Sequence, residues 1–505
     1  MNSSDDRADG RRARALNLFA VCVLPFLLLA TLNSAGYRYG ASDQAFYAPA
    51  VLEARDPGLF PRDSDLIRSQ AKLTLVDDVI GPIARLTGVP LPALFAALHI
   101  ATLGLLSLAV IRLGSLLYTT RWAIIALLAA VTLRHAIIKS GTNTLEGYFH
   151  PRQVSFAIGA LALASFLRGR YATVALLVAV AAALHPTTGL WFAIWLSVAA
   201  YVAEPRFRRT IAAAAAACVL AAVWALYAGP LEGRLVRMDD EWLATLAAKD
   251  YLFPRNWPAS AWLVNLAYAP VIYLIYRQRR KAGVALMRER AVVAGCLALV
   301  VVFFIVLPFN AARIALAIQL QPARVFWMLD FLAVTYVIWA AAEGLAPRPF
   351  RARVVAAALV LLSAVRGTYI MFVAFPDRPV AQVNVNDDDW GRAMKWARES
   401  DRASGWLADP DHAARYGTSI RVAAERDVFV EAIKDSAVGM YERAIALRTR
   451  DRVRELGDFM SLTPSHARSL AATYDLDYLV TEQTIDLPLA FTSGRIKIYR
   501  LKPGG

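Results

Sequence analysis

The sequence has little cysteine and none of the short patterns that mark nucleotide or hydrolase chemistry. Its 505 residues include 3 cysteines, and Cys22, Cys218 and Cys296 all lie inside apolar runs, so there is no disulfide framework and no CxxC metal site. No Walker loop, GxSxG, HExxH or dinucleotide-binding glycine pattern stands in a suitable context. The sequence therefore gives no support to nucleotide hydrolysis or serine-hydrolase chemistry.

Long apolar runs are what the chain has in excess. Hydrophobic residues make up 58% of it, whereas a soluble protein is about 45–50% apolar. The net charge is +15, but the residues from Pro376 onward carry 19 basic and 20 acidic side chains, so the positive excess lies before that point. Basic residues in short connections between apolar runs are topology determinants. This pattern predicts a polytopic membrane protein and argues against nucleic-acid binding.

The apolar runs predict about eleven transmembrane helices. The runs lie near 15–34, 91–111, 122–138, 153–167, 171–185, 187–203, 211–228, 260–276, 291–308, 323–342 and 354–374. The first run is long and no clean cleavage site precedes Tyr37, so we interpret it as an uncleaved span rather than a signal peptide. Basic connections, such as 206–209 and 277–290, alternate with acidic or neutral ones. The alternation predicts a cytoplasmic N-terminus and an extracytoplasmic tail.

Two domains are predicted, a transmembrane domain at 1–375 and a small extracytoplasmic α/β domain at 376–505. In the tail, helices are predicted at Trp390–Glu399, Glu431–Ala446 and Pro464–Tyr474, and strands at Val428–Val430, Tyr478–Thr481 and 496–501. About 130 residues are enough for a hydrophobic core of their own.

The two longest outer connections are predicted to contact the membrane interface. Apolar residues recur at helical spacing within Gln70–Arg85, at Leu73, Val76, Val79, Ile80 and Ile83. This spacing predicts one amphipathic helix lying in the interface. In the connection 229–259, the aromatic residues Trp242, Tyr251 and Trp257 are predicted interfacial anchors.

Asp43 is the main candidate for chemistry. It follows the first span in the stretch 35–47, which is rich in aromatic residues and glycine. A carboxylate at the membrane surface could serve as a general base or as a metal ligand for a substrate with a polar head and a lipid tail. It could equally be a helix cap or a solvated loop acid. Weaker candidates follow it in the same connection, and two of them could cap a helix beginning near Leu66: Glu53, Asp56, Asp63 and Asp65.

Two further clusters of polar residues are predicted on the same side of the membrane. The first comprises Glu146, His150 and Arg152, with His185 closing the fifth span, and the second comprises Arg313, Gln321 and Arg324. An arginine can donate a bidentate pair of hydrogen bonds to phosphate oxygens, and it can neutralise a leaving phosphate. The alternatives are interfacial anchoring for the first cluster and snorkelling to the lipid headgroups for Arg324. Deeper in span ten, Asp330 could pair with a neighbouring helix.

These features together resemble the GT-C superfamily of membrane glycosyltransferases, which includes protein O-mannosyltransferases, aminoarabinose transferases and oligosaccharyltransferases. The similar elements are an acid after the first span, a long first outer connection, a polar second outer connection and an extracytoplasmic C-terminal domain. Four short stretches resemble those of bacterial members: Ser42-Asp43-Gln44, His150-Pro151-Arg152, His185-Pro186 and Gln321-Pro-Ala-Arg324. Protein mannosyltransferases have an adjacent Asp-Glu pair where this chain has Asp43 alone, which argues against a protein acceptor.

The resemblance implies an inverting hexosyl- or pentosyltransferase, and the high arginine and alanine content is compatible with a high-GC bacterium and so with an inner-membrane protein facing the periplasm. Its donor would be a polyprenyl-phosphate-linked sugar and its acceptor a periplasmic glycan or lipid. By this analogy Asp43 activates the acceptor hydroxyl, Arg324 with Arg152 or His150 holds the lipid phosphate, and Glu146 or His185 lies near the sugar. Some members use a divalent metal ion and others do not. With few ligand residues in the sequence, we expect no metal requirement here.

Two other classes of function remain open on the sequence. A transporter of lipid-linked sugars is disfavoured because such proteins commonly contain internal repeats, and none is visible between the two halves of this chain. A polysaccharide polymerase or ligase would be expected to depend on arginines in a large outer loop rather than on an acid after the first span.

Overall fold

The computed structural model describes residues 3–72, 74–344 and 349–502. Leu73, one of the apolar positions of the predicted interfacial helix, lies outside the described residues. The first part of the chain forms α1 (Ser3–Asn33), β1 (Tyr37–Arg38), α2 (Gln44–Arg55), α3 (Ser64–Ala71) and α4 (Val76–Thr87).

The predicted interfacial helix at Gln70–Arg85 is wrong in its extent, because α3 ends at Ala71 and α4 begins at Val76. The amphipathic pattern is nevertheless present on α4. Val76 and Ile80 are buried against the protein, whereas Val79 and Ile83 are exposed. An exposed apolar face of this kind suits a helix that lies against lipid.

The middle of the chain is a helical bundle. Its elements are α5 (Leu91–Leu117), α6 (Arg121–Thr132), β2 (Ala136–Ile137), β3 (Thr142–Asn143), α7 (Pro151–Leu167), α8 (Tyr171–Leu184), α9 (Pro186–Ala203), α10 (Arg208–Ala228), α11 (Asp240–Leu246), α12 (Ala259–Lys281), α13 (Glu289–Ala311), α14 (Ala315–Gln319), α15 (Val325–Ala342) and α16 (Pro349–Tyr369). Aromatic side chains such as Phe156 and Trp327, stacked at 4.0 Å, fill the interior.

Seven of the helical segments in the described residues are long and apolar enough to cross a membrane. They are Leu91–Leu117, Pro186–Ala203, Pro205–Ala228, Ala259–Lys281, Glu289–Ala311, Ala315–Ala342 and Phe350–Ala374. The remaining predicted spans coincide with shorter apolar helices, at Asn17–Asn33, Arg121–Thr132, Pro151–Leu167 and Tyr171–Leu184. The predicted segments therefore overlap helices, although 122–138 extends past the end of α6 at Thr132, and the length criterion supports seven membrane crossings rather than about eleven.

The connections between these helices gather at two ends of the bundle. At one end, which we call the far end, hydrogen bonds and ion pairs of buried charged side chains tie the basic connections together, and Arg279 donates to the carbonyl oxygen of Leu117 there. Glu343 accepts hydrogen bonds from the backbone N–H groups of Thr119 and Thr120, and Arg279 pairs with Glu289 at 2.5 Å. These pairs satisfy charges that would otherwise be buried alone. At the other end, the site end, lie the connections 34–43, 133–150 and 312–324.

The tail forms a mixed α/β unit. It contains β4 (Ala381–Gln382), α17 (Asp389–Glu399), β5 (Gly405–Leu407), α18 (His412–Tyr416), α19 (Ile420–Ala423), β6 (Asp427–Val428), α20 (Ala432–Gly439), α21 (Arg443–Leu456), α22 (Pro464–Tyr474), β7 (Tyr478–Thr481), β8 (Leu489–Ser493) and β9 (Ile496–Arg500). The five-stranded sheet has the order β6-β5-β7-β9-β8. β5 runs parallel to β6 and β7, whereas β9 is antiparallel to β7 and β8. The sheet confirms the small α/β unit near the C-terminus.

The helix predicted at Glu431–Ala446 is two helices, α20 and α21. Gly439 ends α20, and a Cβ atom at this position would lie 2.9 Å from Ala446 Cα on α21. The close approach of the two helices at a glycine therefore explains the turn that the helical pattern in the sequence did not reveal.

The tail is joined to the first outer connection by backbone pairing and buried charge. β4 pairs in parallel with β1, with Tyr37 opposite Ala381. Asp63, predicted as a helix cap, instead receives a hydrogen bond from Arg421 of the tail at 2.8 Å. Arg421 also pairs with Asp435 on α20 at 2.6 Å. These contacts hold α20 above the site end of the bundle.

The aromatic residues predicted as interfacial anchors have a different role. Trp242 and Trp257 are only 5% and 6% exposed. The Trp242 indole donates a hydrogen bond to the carbonyl oxygen of Gly439 at 2.7 Å. Trp242 therefore supports the tail, whereas Trp257 packs against Phe303 and Phe326 of the bundle.

Candidate active site

The site end of the bundle contains a cavity of about 420 Å³ between the outer connections and α20 of the tail. Ligand sites typically have volumes of about 300–1,000 Å³. A smaller pocket of about 80 Å³ adjoins it, and the two share Asp43, Arg152, Tyr251, Arg324 and Ala437 in their linings. Nearly all of the residues predicted from sequence as a site meet here: Asp43, Glu146, His150, Arg152, His185, Gln321 and Arg324 line one pocket or both.

Asp43 is placed at the N-terminus of α2 without capping it. Its side chain makes no capping hydrogen bond to the helix, so the interpretation of Asp43 as a simple helix cap is wrong. Oδ1 accepts a hydrogen bond from Lys434 Nζ at 2.9 Å, and Oδ2 lies 3.2 Å from His150 Nε2. The neighbouring Gln44 fixes the loop, because its amide accepts from Gly40 N–H and donates to the carbonyl oxygen of Phe149.

The hydrogen bonds of His150 identify its tautomer. Its Nδ1 accepts a hydrogen bond from the backbone N–H of Arg152 at 3.1 Å. The proton is therefore on Nε2, which donates to Asp43. Burial and the charge of Arg152 lower the pKa of His150 to about 4. At neutral pH His150 is thus an uncharged donor that orients the carboxylate of Asp43.

Asp43 is ionised in this setting. Burial favours the protonated form, but the ammonium of Lys434 and the hydrogen bond from His150 outweigh it and hold the pKa of Asp43 well below its usual 3.8. The side chain keeps 29% of its surface exposed, and it lines both parts of the cavity. A substrate hydroxyl in the cavity could therefore reach an ionised carboxylate.

His185 offers a second neutral donor. Its Nδ1 accepts hydrogen bonds from the backbone N–H and the hydroxyl of Thr188, which places the proton on Nε2. Burial and the nearby charge of Arg324 hold the pKa of His185 well below 6.5. Among the described residues, Nε2 has no hydrogen-bond partner, and the ring lines the smaller pocket. This N–H can donate to an oxygen of a bound ligand.

Glu146 is committed to Arg152 rather than free to act on a substrate. Arg152 Nη2 lies 2.9 Å from Glu146, and Nη1 donates to the carbonyl oxygen of Gly141. Arg134 lies 3.9 Å from the same carboxylate. Burial raises the pKa of Glu146, and Arg152 and Arg134 oppose that rise. The carboxylate therefore fixes the position of Arg152 at the cavity wall.

Arg324 is a buried cation without a carboxylate partner in the described part of the chain. It is 8% exposed, its Nε has no hydrogen-bond partner, and Nη1 reaches only the Thr187 hydroxyl at 3.5 Å. A buried unpaired charge costs free energy, so its presence at a cavity indicates an anionic ligand. Gln321 begins the turn that carries Arg324 in a left-handed conformation, with φ of +49°. Strained backbone of this kind occurs at ligand sites.

Arg313 is not part of this cavity. Its side chain is 43% exposed and forms an ion pair with Asp240 at 2.5 Å. It lies between the end of α13 and the start of α14 and lines neither pocket. The structure therefore separates Arg313 from the other predicted residues. Asp330 pairs at 3.1 Å with His135, which lies in the connection between α6 and β2 rather than on a neighbouring helix.

Several basic residues at the cavity were not singled out from sequence. They are Arg38, Arg134, Lys249, Arg378 and Lys434. Extracytoplasmic connections contain few Lys and Arg residues. The presence of Arg38 and Lys249 in such connections could therefore have marked them as candidate site residues. Nothing marked Lys434 in this way, because a lysine on an amphipathic tail helix is usually solvated. With these residues, the larger pocket has seven basic and two acidic side chains.

The residues around Asp43 do not form a typical site for a divalent metal ion. In residues 3–72, 74–344 and 349–502, no group of three or more His, Cys, Asp or Glu side chains could hold a metal ion. Calcium and magnesium prefer several oxygen ligands, whereas the neighbours of the Asp43 carboxylate are an ammonium and an imidazole N–H.

No protein-family profile matches the sequence, and a search of curated proteins finds no significant match. The resemblance to GT-C glycosyltransferases therefore stays a prediction that depends on the residues described above.

Proposed function

We propose that the chain is a membrane glycosyltransferase that moves a sugar from a polyprenyl-phosphate donor to an extracytoplasmic glycan or lipid. One observation carries the proposal: a cavity at the end of an apolar helical bundle combines an excess of basic side chains with an ionised, oriented carboxylate. The cations suit a lipid phosphate, and the carboxylate suits a hydroxyl acceptor.

The proposed setting is a bacterial inner membrane that the chain crosses eleven times, with the N-terminus in the cytoplasm and the tail in the periplasm. The four shorter apolar helices would supply the crossings beyond the seven that meet the length criterion. The basic connections tied together at the far end support a cytoplasmic location for that end. The cavity would then open beside the periplasmic leaflet, where the head of a lipid-linked sugar lies.

The proposed reaction is a single displacement at the anomeric carbon. Asp43 accepts the proton of the acceptor hydroxyl as the acceptor oxygen forms its bond to the anomeric carbon. The bond between this carbon and the phosphate oxygen breaks, and the polyprenyl phosphate leaves with the electron pair, so the configuration inverts. Arg324, Arg152 and the Nε2–H of His185 stabilise the charge that develops on the phosphate.

The direct test is transfer by the purified protein from a panel of polyprenyl-phosphate sugars. The assay would follow release of polyprenyl phosphate in the presence of candidate glycan and lipid acceptors. Release that depends on both the sugar and the acceptor is expected. Binding of the donor without release, across the panel and all acceptors, would favour a transporter of lipid-linked sugars and would contradict the proposal.

A polymerase or ligase of lipid-linked glycans is the second candidate, because Arg38, whose Nε has no hydrogen-bond partner among the described residues, lines the cavity together with Arg378. Additional free cations could hold a second lipid-linked substrate as acceptor. The two activities differ in their products. Mass spectrometry would find one added sugar for a transferase, and a ladder or a transferred chain for a polymerase or ligase.

Arg324→Met should weaken the binding of polyprenyl phosphate about 10- to 100-fold, because a charge-assisted hydrogen bond contributes about 1.5–3 kcal/mol. Removing a buried unpaired charge should leave the unfolding temperature unchanged or higher. Arg313→Met is the matched control on the neighbouring segment, since Arg313 pairs with Asp240 outside the cavity. Equal losses of affinity in the two variants would exclude a specific role for Arg324.

The affinity for polyprenyl phosphate should also fall as the pH rises through about 8. Burial and the charge of Lys434 lower the pKa of Lys249 to about 8, so this cation of the cavity is present below that pH and lost above it. Dissociation constants at pH 7 and pH 9 would show the change. Lys249→Arg should remove most of the pH dependence, because arginine stays charged over this range.

A further inference from the structure

The tail contributes the cation that contacts Asp43. Lys434 lies on α20, and its ammonium occupies Oδ1 of the carboxylate at 2.9 Å. Because His150 occupies Oδ2, both oxygens of the proposed base already have partners. Each carboxylate oxygen can accept a further hydrogen bond, so a hydroxyl can reach Asp43, but while both partners remain the carboxylate is a weak proton acceptor.

Of the two partners, Lys434 is the one that can leave. The imidazole of His150 is 2% exposed, and its Nδ1 accepts a hydrogen bond from the backbone N–H of Arg152. It also contacts the ring of Tyr47 edge to face, at 5.2 Å. The side chain of Lys434 is 16% exposed, and a lysine ammonium sits on a flexible four-carbon stem.

The backbone beneath Lys434 is held firmly, so any movement is confined to its side chain. Asp435 is paired with Arg421, and the ammonium of Lys249 donates to the carbonyl oxygen of Ile433 at 3.0 Å. At the other end of α20, Gly439 accepts a hydrogen bond from the indole of Trp242. The fold thus presents one mobile cation to a fixed carboxylate, within a cavity suited to an anion.

We propose that Lys434 exchanges partners when the donor binds, leaving Asp43 for the phosphate of the donor. This inference rests on the proposed function and adds a coupling within the same site: donor binding activates the base. The lysine lines the same pocket as Arg152, Arg324 and Lys249, so a phosphate held there lies within the cavity that Lys434 faces. No covalent bond changes in this step.

The exchange has a chemical consequence. A carboxylate paired with an ammonium is a weak proton acceptor, and Lys434 is the largest of the influences that lower the pKa of Asp43. Once the ammonium has moved to the phosphate, it no longer lowers the pKa of Asp43. Burial then raises that pKa against less opposing charge, and the carboxylate becomes more basic. Asp43 would therefore gain its strength as a base only when a donor is present.

A double-mutant cycle on anion binding tests the exchange without depending on turnover. The probe is farnesyl phosphate, and the proteins are the wild type, Asp43→Asn, Lys434→Gln and the double variant. In the wild type Lys434 must give up Asp43 to gain the phosphate, so Lys434→Gln should change affinity little. In the Asp43→Asn background no partner is given up, so Lys434→Gln should weaken binding at least about fivefold more, within the range of coupling between residues in contact.

Simple repulsion between Asp43 and the phosphate predicts a different result. It makes Asp43→Asn bind more tightly by the same factor whether Lys434 is present or not, and the cycle then shows no coupling. Lys434→Arg keeps a cation at this position. Asp43→Asn should therefore change the affinity for farnesyl phosphate by the same factor in the Lys434→Arg background as in the wild type. Lys395→Gln, at an exposed position on α17, is the control for a general loss of positive charge in the tail.

The outcomes separate the two proposals. Coupling without sugar transfer from any donor would support the exchange and overturn the proposed function. Sugar transfer with additive effects on binding would overturn the exchange alone. A wild type that does not bind farnesyl phosphate would overturn the exchange and remove the support for a phosphate-linked donor.

Discussion

Asp43→Asn is expected to lower turnover about 10²- to 10⁴-fold, the usual contribution of a general base. Asparagine has nearly the same shape, so the loop and the hydrogen bond from His150 should persist. What is lost is the negative charge that accepts the proton of the acceptor. Lys434 loses its partner at the same time, so binding of polyprenyl phosphate should be retained or become tighter. The measurement is kcat for sugar transfer beside the dissociation constant for polyprenyl phosphate.

Glu53→Gln is the matched control for this variant. Glu53 is a buried carboxylate on the same helix, α2, and it pairs with Arg68 rather than lining the cavity. Its replacement should leave turnover within about threefold of the wild type, since it lies outside the proposed site. Full activity of Asp43→Asn would exclude Asp43 as the base. Equal losses in both variants would indicate a structural effect of changing α2.

Much of the fold was predictable because membrane insertion leaves a strong signal in the sequence. Each long apolar run overlaps a helix, and the basic connections indicated which helix ends lie together. Pro464–Tyr474 and Tyr478–Thr481 were also predicted with the bounds that the structure has. The break between α20 and α21 was not predicted, because the turn at Gly439 depends on how closely these two helices pack. Such contacts between elements leave no local pattern.

The candidate site was predictable to the extent that its residues lie next to apolar spans. Asp43, His150, His185 and Arg324 follow or begin spans whose ends meet at one side of the bundle. Arg313 has the same sequence context, but the turn after α13 directs it to Asp240 instead. Sequence therefore identified the end of the bundle correctly, while only the structure distinguished residues that line the cavity from those beside it.

The contribution of the tail could not be predicted, because it depends on how the tail packs against the first outer connection. Asp63 was a candidate helix cap, and nothing in the sequence singled out Arg421 or Asp435. In the structure the side chains of all three are at most 4% exposed and paired with one another. This buried cluster places Lys434 at Asp43, so the architecture of the site depends on residues remote from it in sequence.

Arg421→Met should destabilise the junction between the tail and the first outer connection by about 3–5 kcal/mol, the usual cost of removing one partner of a buried ion pair. Asp435 would remain buried without its cation, and Asp63 would keep only Arg448. The tail should then become sensitive to proteases at lower denaturant concentration, and turnover should fall because α20 is no longer held over the cavity. Limited proteolysis in detergent, together with thermal unfolding, would measure the loss.

Arg402→Met is the control, because Arg402 also joins the tail to the first outer connection, through Asp56. Both side chains of that pair are largely exposed, at 58% and 45%, and exposed pairs contribute about 0–1 kcal/mol. Comparable losses in the two variants would contradict the importance assigned to the buried cluster.

The pH dependence should distinguish the buried cluster from a general packing defect. In the wild type, Arg421 and Arg448 outweigh burial and hold the pKa of Asp63 below its usual 3.8. Asp63 thus stabilises the fold above that pH, and this contribution is lost as the pH falls below it. In Arg421→Met the buried carboxylates have less positive charge around them, so their ionised forms are costly, and protonation relieves that cost. Acidification from pH 8 to pH 5 should therefore reduce the difference in free energy of unfolding between the variant and the wild type. If the loss came only from a cavity left by the missing side chain, this difference would not change with pH.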